Sequence, residues 1–301
     1  MRAAIAGDLV GSGFERSVWS NGQYPDVRCA GYDVAAPRVN RAGETAAAFD
    51  LLHSSCHITD DSILTVAVMD WLLHPGDLRV LLRTYFRRAG RPELFGQVFR
   101  RWAASDAETA CGSAGNGAAM RVSPVAFAAD SPESVLRLAR ESAAATHSTA
   151  DAIAGAEAVA LGVFLARTGR TKRAIRDEIQ SRFGFDLSRP LDKIRRGYRF
   201  SSSCADTVPV SFGAFLESED YEGALRRAIS VGGDADTTAC MAGALAGAYG
   251  GIPARVASWV LQTLPADLRE VVLAFEGRFP DSMRLESSDS SEASSRTSLC
   301  T

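Results

Sequence analysis

ISVGGDADTTACMAGALAGAYGGIP, residues 229–253, decides the reading of this chain. Two carboxylates, Asp234 and Asp236, follow a diglycine at the point where a long Ala-rich run with helical spacing begins. Acids in that place crown a helix N-terminus, where unpaired N–H groups and the helix dipole favour negative charge. A second crown stands far upstream in ITDDSILTVAVMDWLL, residues 58–73, with Thr59 as N-cap and Asp60 and Asp61 in the first turn. The alternative for each crown alone is a capped helix and nothing more. Together, ionised and clustered oxygens are what hard divalent cations bind, and Thr59 and Thr237 would add hydroxyl or carbonyl oxygens. Four acids on one empty site would repel one another, so convergence calls for cations.

Helical periodicity extends outward from these two stretches. It predicts helices over residues 1–10, 43–52, 78–89, 94–104, 131–147, 150–168, 207–217, 221–230, 256–261 and 265–275, with residues 19–41 as a long surface loop. Residues 167–199 are polar and basic and read as a helix followed by an irregular excursion. Sustained period-two alternation is missing, so the expected fold is all-α: a single-domain orthogonal bundle of many helices over residues 1–285, with a Ser-rich disordered tail at 286–301. The 301 residues can bury a substantial core, and 46% hydrophobic with 23% charged residues describes a globular chain. A net charge of −3 argues against a dominating nucleic-acid or membrane surface. Six scattered cysteines without a C-x-x-C pair point to reduced thiols and a cytoplasmic address, and a monomer is the default state.

A third stretch, Gly112-Ser113-Ala114-Gly115-Asn116-Gly117, offers backbone N–H groups in a glycine-lined loop running into a helix, one way to cradle phosphates. A tight packing turn is the competing reading. Arg121 would bind phosphate or pair with an acid in the core; His147, after Thr146, is open between a structural and a catalytic role. His53, His57 and His74 have no supporting arrangement.

GDLVGSGFE, TDDSILT, GSAGNGAAMRVSP, THS and GGDADT, in that order, resemble the ADP-ribosylglycohydrolase family from the N-terminus to about Pro253. The resemblance implies an all-α fold with a binuclear centre of two Mg²⁺ or Mn²⁺ at the base of a cleft that binds ADP-ribose. By position, it implies Thr59, Asp60, Asp61, Asp234, Asp236 and Thr237 as metal ligands and Glu15 as an acid that reaches the centre from a loop; the proton shuttle is then Glu15, ranked first, or an acid of the metal shell. Gly112, Ser113, Ala114 and Gly115, with Asn116 beside them, correspond to the diphosphate loop, and His147 to a nucleotide contact. Ser62 stands where many members have Thr, and Ala114 where some have an aromatic residue. The implied partner is an ADP-ribosylated protein or a small conjugate such as O-acetyl-ADP-ribose, and the implied reaction is hydrolysis of the glycosidic bond. A non-catalytic ADP-ribose-binding protein and a metal-dependent nucleotide phosphohydrolase are the competing classes.

Overall fold

The computed structural model describes residues 1–14, 50–53, 55–105, 107 and 109–286. Glu15, the expected loop 19–41 and the tail from 287 lie outside the described residues. In chain order the helices are α1 (Arg2–Ser12), α2 (Asp60–Leu73), α3 (Leu78–Ala89), α4 (Gln97–Ala103), α5 (Gly117–Met120), α6 (Val125–Ala128), α7 (Pro132–Ala144) and α8 (Ala150–Arg167). They continue with α9 (Lys172–Phe183), α10 (Leu191–Arg195), α11 (Cys204–Glu217), α12 (Tyr221–Val231), α13 (Ala235–Gly250), α14 (Ala254–Thr263) and α15 (Ala266–Arg278). Among the described residues there is no strand, only isolated bridges, so the all-α expectation holds.

α13 runs through the middle, with α1, α8, α11 and α12 packed around it. Every residue from Ala235 to Ala248 is buried, as are most of α2 and α8. A helix apolar on all sides belongs inside a protein, and here small side chains let neighbours approach on every side. Gly7 and Gly11 of α1 face α13 so closely that a Cβ at Gly11 would stand 2.5 Å from the Asp236 Cα. Outer helices such as α3, α7 and α12 bury one stripe each, for example Leu78, Leu82, Tyr85 and Phe86 of α3.

Local chemistry sets the helix ends. Thr59, Asp77, Thr149, Thr171, Ser203 and Asp220 each accept a first-turn N–H, and Ser131 and Ser134 form a capping box. Gly90 and Gly184 close α3 and α9 in the left-handed conformation that glycine adopts without strain. The observed helices differ from the expected ones in a few places. Residues 50–52 are not helical, and the rest of the helix expected over 43–52 lies outside the described residues. The expected 94–104 helix divides into a 3-10 turn, Pro92–Leu94, and α4, with Gly96 between them. α11 begins three residues before the expected Thr207, because Ser203 caps it, and so carries Pro209 in its interior.

Candidate active site

The two acid crowns meet. Thr59 stands in extended conformation just before α2, and its Oγ1 accepts the Asp61 N–H at 3.2 Å. Thr237, in the first turn of α13, donates its hydroxyl to Asp61 Oδ2 at 3.2 Å, which joins the heads of the two helices. Its own N–H is given to Asp236 Oδ1 at 2.8 Å. Carboxylate oxygens of Asp8, Asp61 and Asp236 lie within 4.8 Å of one another, and all three residues are buried.

Asp8 is the member that the sequence reading leaves without a role. It lies on α1 with no exposed surface, and its carboxylate serves the head of α2. Oδ2 accepts from the Thr59 N–H at 3.1 Å, the Ser62 N–H at 3.0 Å and the Ser62 hydroxyl, while Oδ1 accepts from Thr59 Oγ1 at 2.7 Å. Burial raises its pKa, and the hydrogen bonds from Ser62 and Thr59 oppose that rise. The signal for it in the sequence is a single acid inside AAIAGDLV, an otherwise apolar helix.

Asp234 caps α13 by position, and its carboxylate accepts from Asn116 Nδ2 at 2.7 Å. Burial raises its pKa against the hydrogen bonds of Asn116, Asp236 and Thr237. The diglycine before it has a steric reason: Gly232 and Gly233 take φ of 78° and 76°, and a Cβ at Gly233 would reach within 2.8 Å of the Tyr198 ring. Asp60, half-exposed at the head of α2, contributes negative potential to the buried Arg121.

The glycine loop packs beside the acids. Asn116 ties it to Asp234 and donates its backbone N–H to the Ser202 carbonyl at 2.7 Å. Gly112 takes φ of 66°, Ser113 N–H bonds the Thr146 carbonyl at 3.1 Å, and Gly115 N–H bonds Ser113 Oγ at 3.3 Å. Ser113 and His147 form a bridge, so His147 stands behind the loop. The helix into which the loop runs, α5, is a single turn. Arg121 neither faces the loop's outer surface nor forms an ion pair among the described residues; it is fully buried and bonds carbonyls and a hydroxyl. The third and fourth crown acids, the loop and His147 are thereby brought into one region, and Glu15 alone of the sequence-derived set has no described position.

A family model described as ADP-ribosylglycohydrolase matches residues 1–287. The chain belongs to the ADP-ribosylglycohydrolase family. A protein of Archaeoglobus fulgidus is 33% identical over 155 residues, covering 46% of this chain and 51% of its own. ADP-ribosylhydrolase ARH3 of Gallus gallus is 31% identical over 193 residues, covering 49% of this chain and 53% of that protein. The chain thus spans about half the length of the curated relatives it matches. A solved structure titled ADP-ribosylglycohydrolase-related protein complex superposes with a TM-score of 0.60 at 27% identity, over 94% of this chain and 98% of that one.

The donor set suits a divalent cation. Among the described residues the cluster offers buried carboxylate oxygens with the Thr237 hydroxyl beside them, the oxygen donors that hard divalent cations take. No helix among the described residues is long and apolar enough to cross a membrane.

Proposed function

We propose that this chain hydrolyses the glycosidic bond between ADP-ribose and a modified acceptor, a protein side chain in the first instance, and releases ADP-ribose. One observation carries the reading: Asn116 of the glycine loop holds Asp234 at 2.7 Å, so a diphosphate on the loop and a ribose over the acids would belong to one ligand. Thr59, Asp60, Asp61, Asp234, Asp236 and Thr237 would hold two divalent cations, with Asp8 orienting Thr59 and Ser62 behind them. Bound there, Mg²⁺ or Mn²⁺ would supply Lewis-acid charge beside the ribose hydroxyls and a water molecule.

The reaction builds positive charge on the ribose ring as the bond to the acceptor breaks. Carboxylates of the two crowns face that charge, and the loop residues Gly112, Ser113, Ala114, Gly115 and Asn116 would fix the diphosphate so that the anomeric carbon stays in register. Glu15 is the proposed proton shuttle, because it lies outside the crown acids and directly follows the end of α1.

Peptides carrying ADP-ribose on defined linkages, incubated with and without Mg²⁺ or Mn²⁺ and followed by mass spectrometry, test the reading. The expected product is intact ADP-ribose, lost by at least ~100-fold in Asp61→Asn and Asp236→Asn. Glu15→Gln should bind ADP-ribose as the parent does and turn over slowly. Release of AMP would identify a phosphohydrolase, and cleavage of free conjugates only would move the substrate to a small molecule. No release from any of them would end the proposal.

A further inference from the structure

Behind the glycine loop runs a hydrogen-bond chain whose directions are forced. Arg121 is fully buried, and its guanidinium donates to the Gly117 carbonyl at 3.3 Å, the Ser142 carbonyl at 2.8 Å and Thr146 Oγ1 at 2.8 Å. A guanidinium has donors only, so Thr146 Oγ1 spends a lone pair there and keeps its single proton for another acceptor. The acceptor in reach is His147 Nδ1, 2.8 Å away. In the reverse arrangement, with Nδ1 protonated, two donors would converge on Oγ1 and the hydroxyl proton of a residue with no exposed surface would lack a partner. Stranding that proton costs about 1–3 kcal/mol, enough to settle the direction.

Nδ1 therefore accepts, and the neutral ring carries its proton on Nε2. That atom is buried, and the acceptor beside the ring is the Gly115 carbonyl of the glycine loop. Nε2 lies against the loop: a Cβ at Gly117 would stand 3.6 Å from it. We infer that Arg121 and Thr146 are positioning residues that lock His147 as an Nε2–H donor turned toward the Gly115 carbonyl, so that the glycine loop is held in the shape that receives a bound ADP-ribose. The ligand in this statement rests on the function proposed above; the direction of the relay does not. Burial, then the positive charge of Arg121, push the His147 pKa down to about 3 against the Gly115 carbonyl, so the ring stays neutral and the donor does not switch near neutral pH.

Nitrogen-15 NMR of histidine-labelled protein reads the tautomer directly in the ligand-free state. The chain has four histidines, and the spectrum of His147→Gln identifies the signals that belong to His147. The expected parent spectrum has a protonated Nε2 and an unprotonated Nδ1. Thr146→Val should give a mixture of tautomers and weaken ADP-ribose binding, measured by calorimetry, by about tenfold. Thr146→Ser, which keeps the hydroxyl, should restore the single tautomer and bring affinity to within about threefold of the parent. A parent protein with the proton on Nδ1 would overturn the inference, and so would a Thr146→Val protein with one Nε2–H tautomer and unchanged affinity. If Thr146→Val does not fold, the parent and Thr146→Ser spectra still decide the direction. A parent that binds no ADP-ribose counts against the proposed function, while the ligand-free spectrum still tests the relay.

Discussion

Asp8 is engaged by four donors, three on Oδ2 and one on Oδ1, all from Thr59 and Ser62. Replacing it with Asn turns one acceptor oxygen into an NH₂ that faces donors, so Asp8→Asn should lose about 2–4 kcal/mol in urea unfolding. Asp61→Asn should stay near the parent in the same measurement, because its cost falls on turnover. His147 supplies a pH test of the same kind. Its folded pKa of about 3 lies below the ordinary 6.5, so the unfolded chain takes up the proton first. The stability it contributes is complete above about pH 6.5 and is lost as pH falls from there toward 3, at about 1.4 kcal/mol per unit. Between pH 7 and pH 5 the parent should therefore lose about 2 kcal/mol more than His147→Gln in urea unfolding. Equal losses would mean that the ring is not held neutral by its surroundings. Asp61 and Asp236, the two crown acids that join the cluster, are legible as candidates in the sequence because they sit in pairs with Asp60 and Asp234 at helix starts. Asp8 and Arg121 are not: their partners lie 51 and 25 residues away, and periodicity carries no information on such pairings.

At the scale of elements, the site depends on how closely α1 and α13 cross. Gly11 is within a helix, where its value is the missing side chain rather than a special backbone angle. A methyl at this position would meet the Ala235 carbonyl and the Asp236 Cα, backbone atoms that cannot rotate aside. Gly11→Ala should thus cost ~2–3 kcal/mol and also displace Asp236, so that activity falls by more than the folded fraction does. Comparing kcat on the folded fraction with urea midpoints checks this, and full specific activity would show that the crossing has slack. Most helices are legible from capping residues and apolar spacing, as Ser131 and Thr149 illustrate. The interior ones are harder. α13 has no polar face, so amphipathicity gives no direction for its packing, and only its density of Ala and Gly hints at neighbours on all sides. α11 begins earlier than propensity suggests although this moves Pro209 from the tolerated first turn into the helix interior; the Ser203 cap, with its side chain accepting the Asp206 N–H, sets the start.

For the whole molecule, the acid cluster is the place where distant parts of the chain are tied. Asp8, Asp61 and Asp236 come from α1, α2 and α13, separated by about 50 and then 175 residues of sequence, and burial of three carboxylates together opposes folding until positive charge is supplied. Direct links between these helices include the Asp8 bonds to Thr59 and Ser62 and the Thr237–Asp61 bond, which align the acids without neutralising them. A divalent cation bound there would act as ligand and cross-link at once, stabilising the native state by RT ln(1 + [M]/Kd), about 2.7 kcal/mol at a hundredfold excess over Kd. For a chain of 301 residues that corresponds to a rise in Tm of roughly 4 °C. Mg²⁺ or Mn²⁺ should raise Tm by that amount and EDTA should reverse it, whereas Asp61→Asn and Asp236→Asn should show little response to either. Ca²⁺ at the same concentration separates a selective site from general screening of acids. If the parent melts at one temperature with metal and with EDTA, the cluster is a buried hydrogen-bonded junction, and the catalytic reading would have to stand on the glycine loop and Glu15 alone.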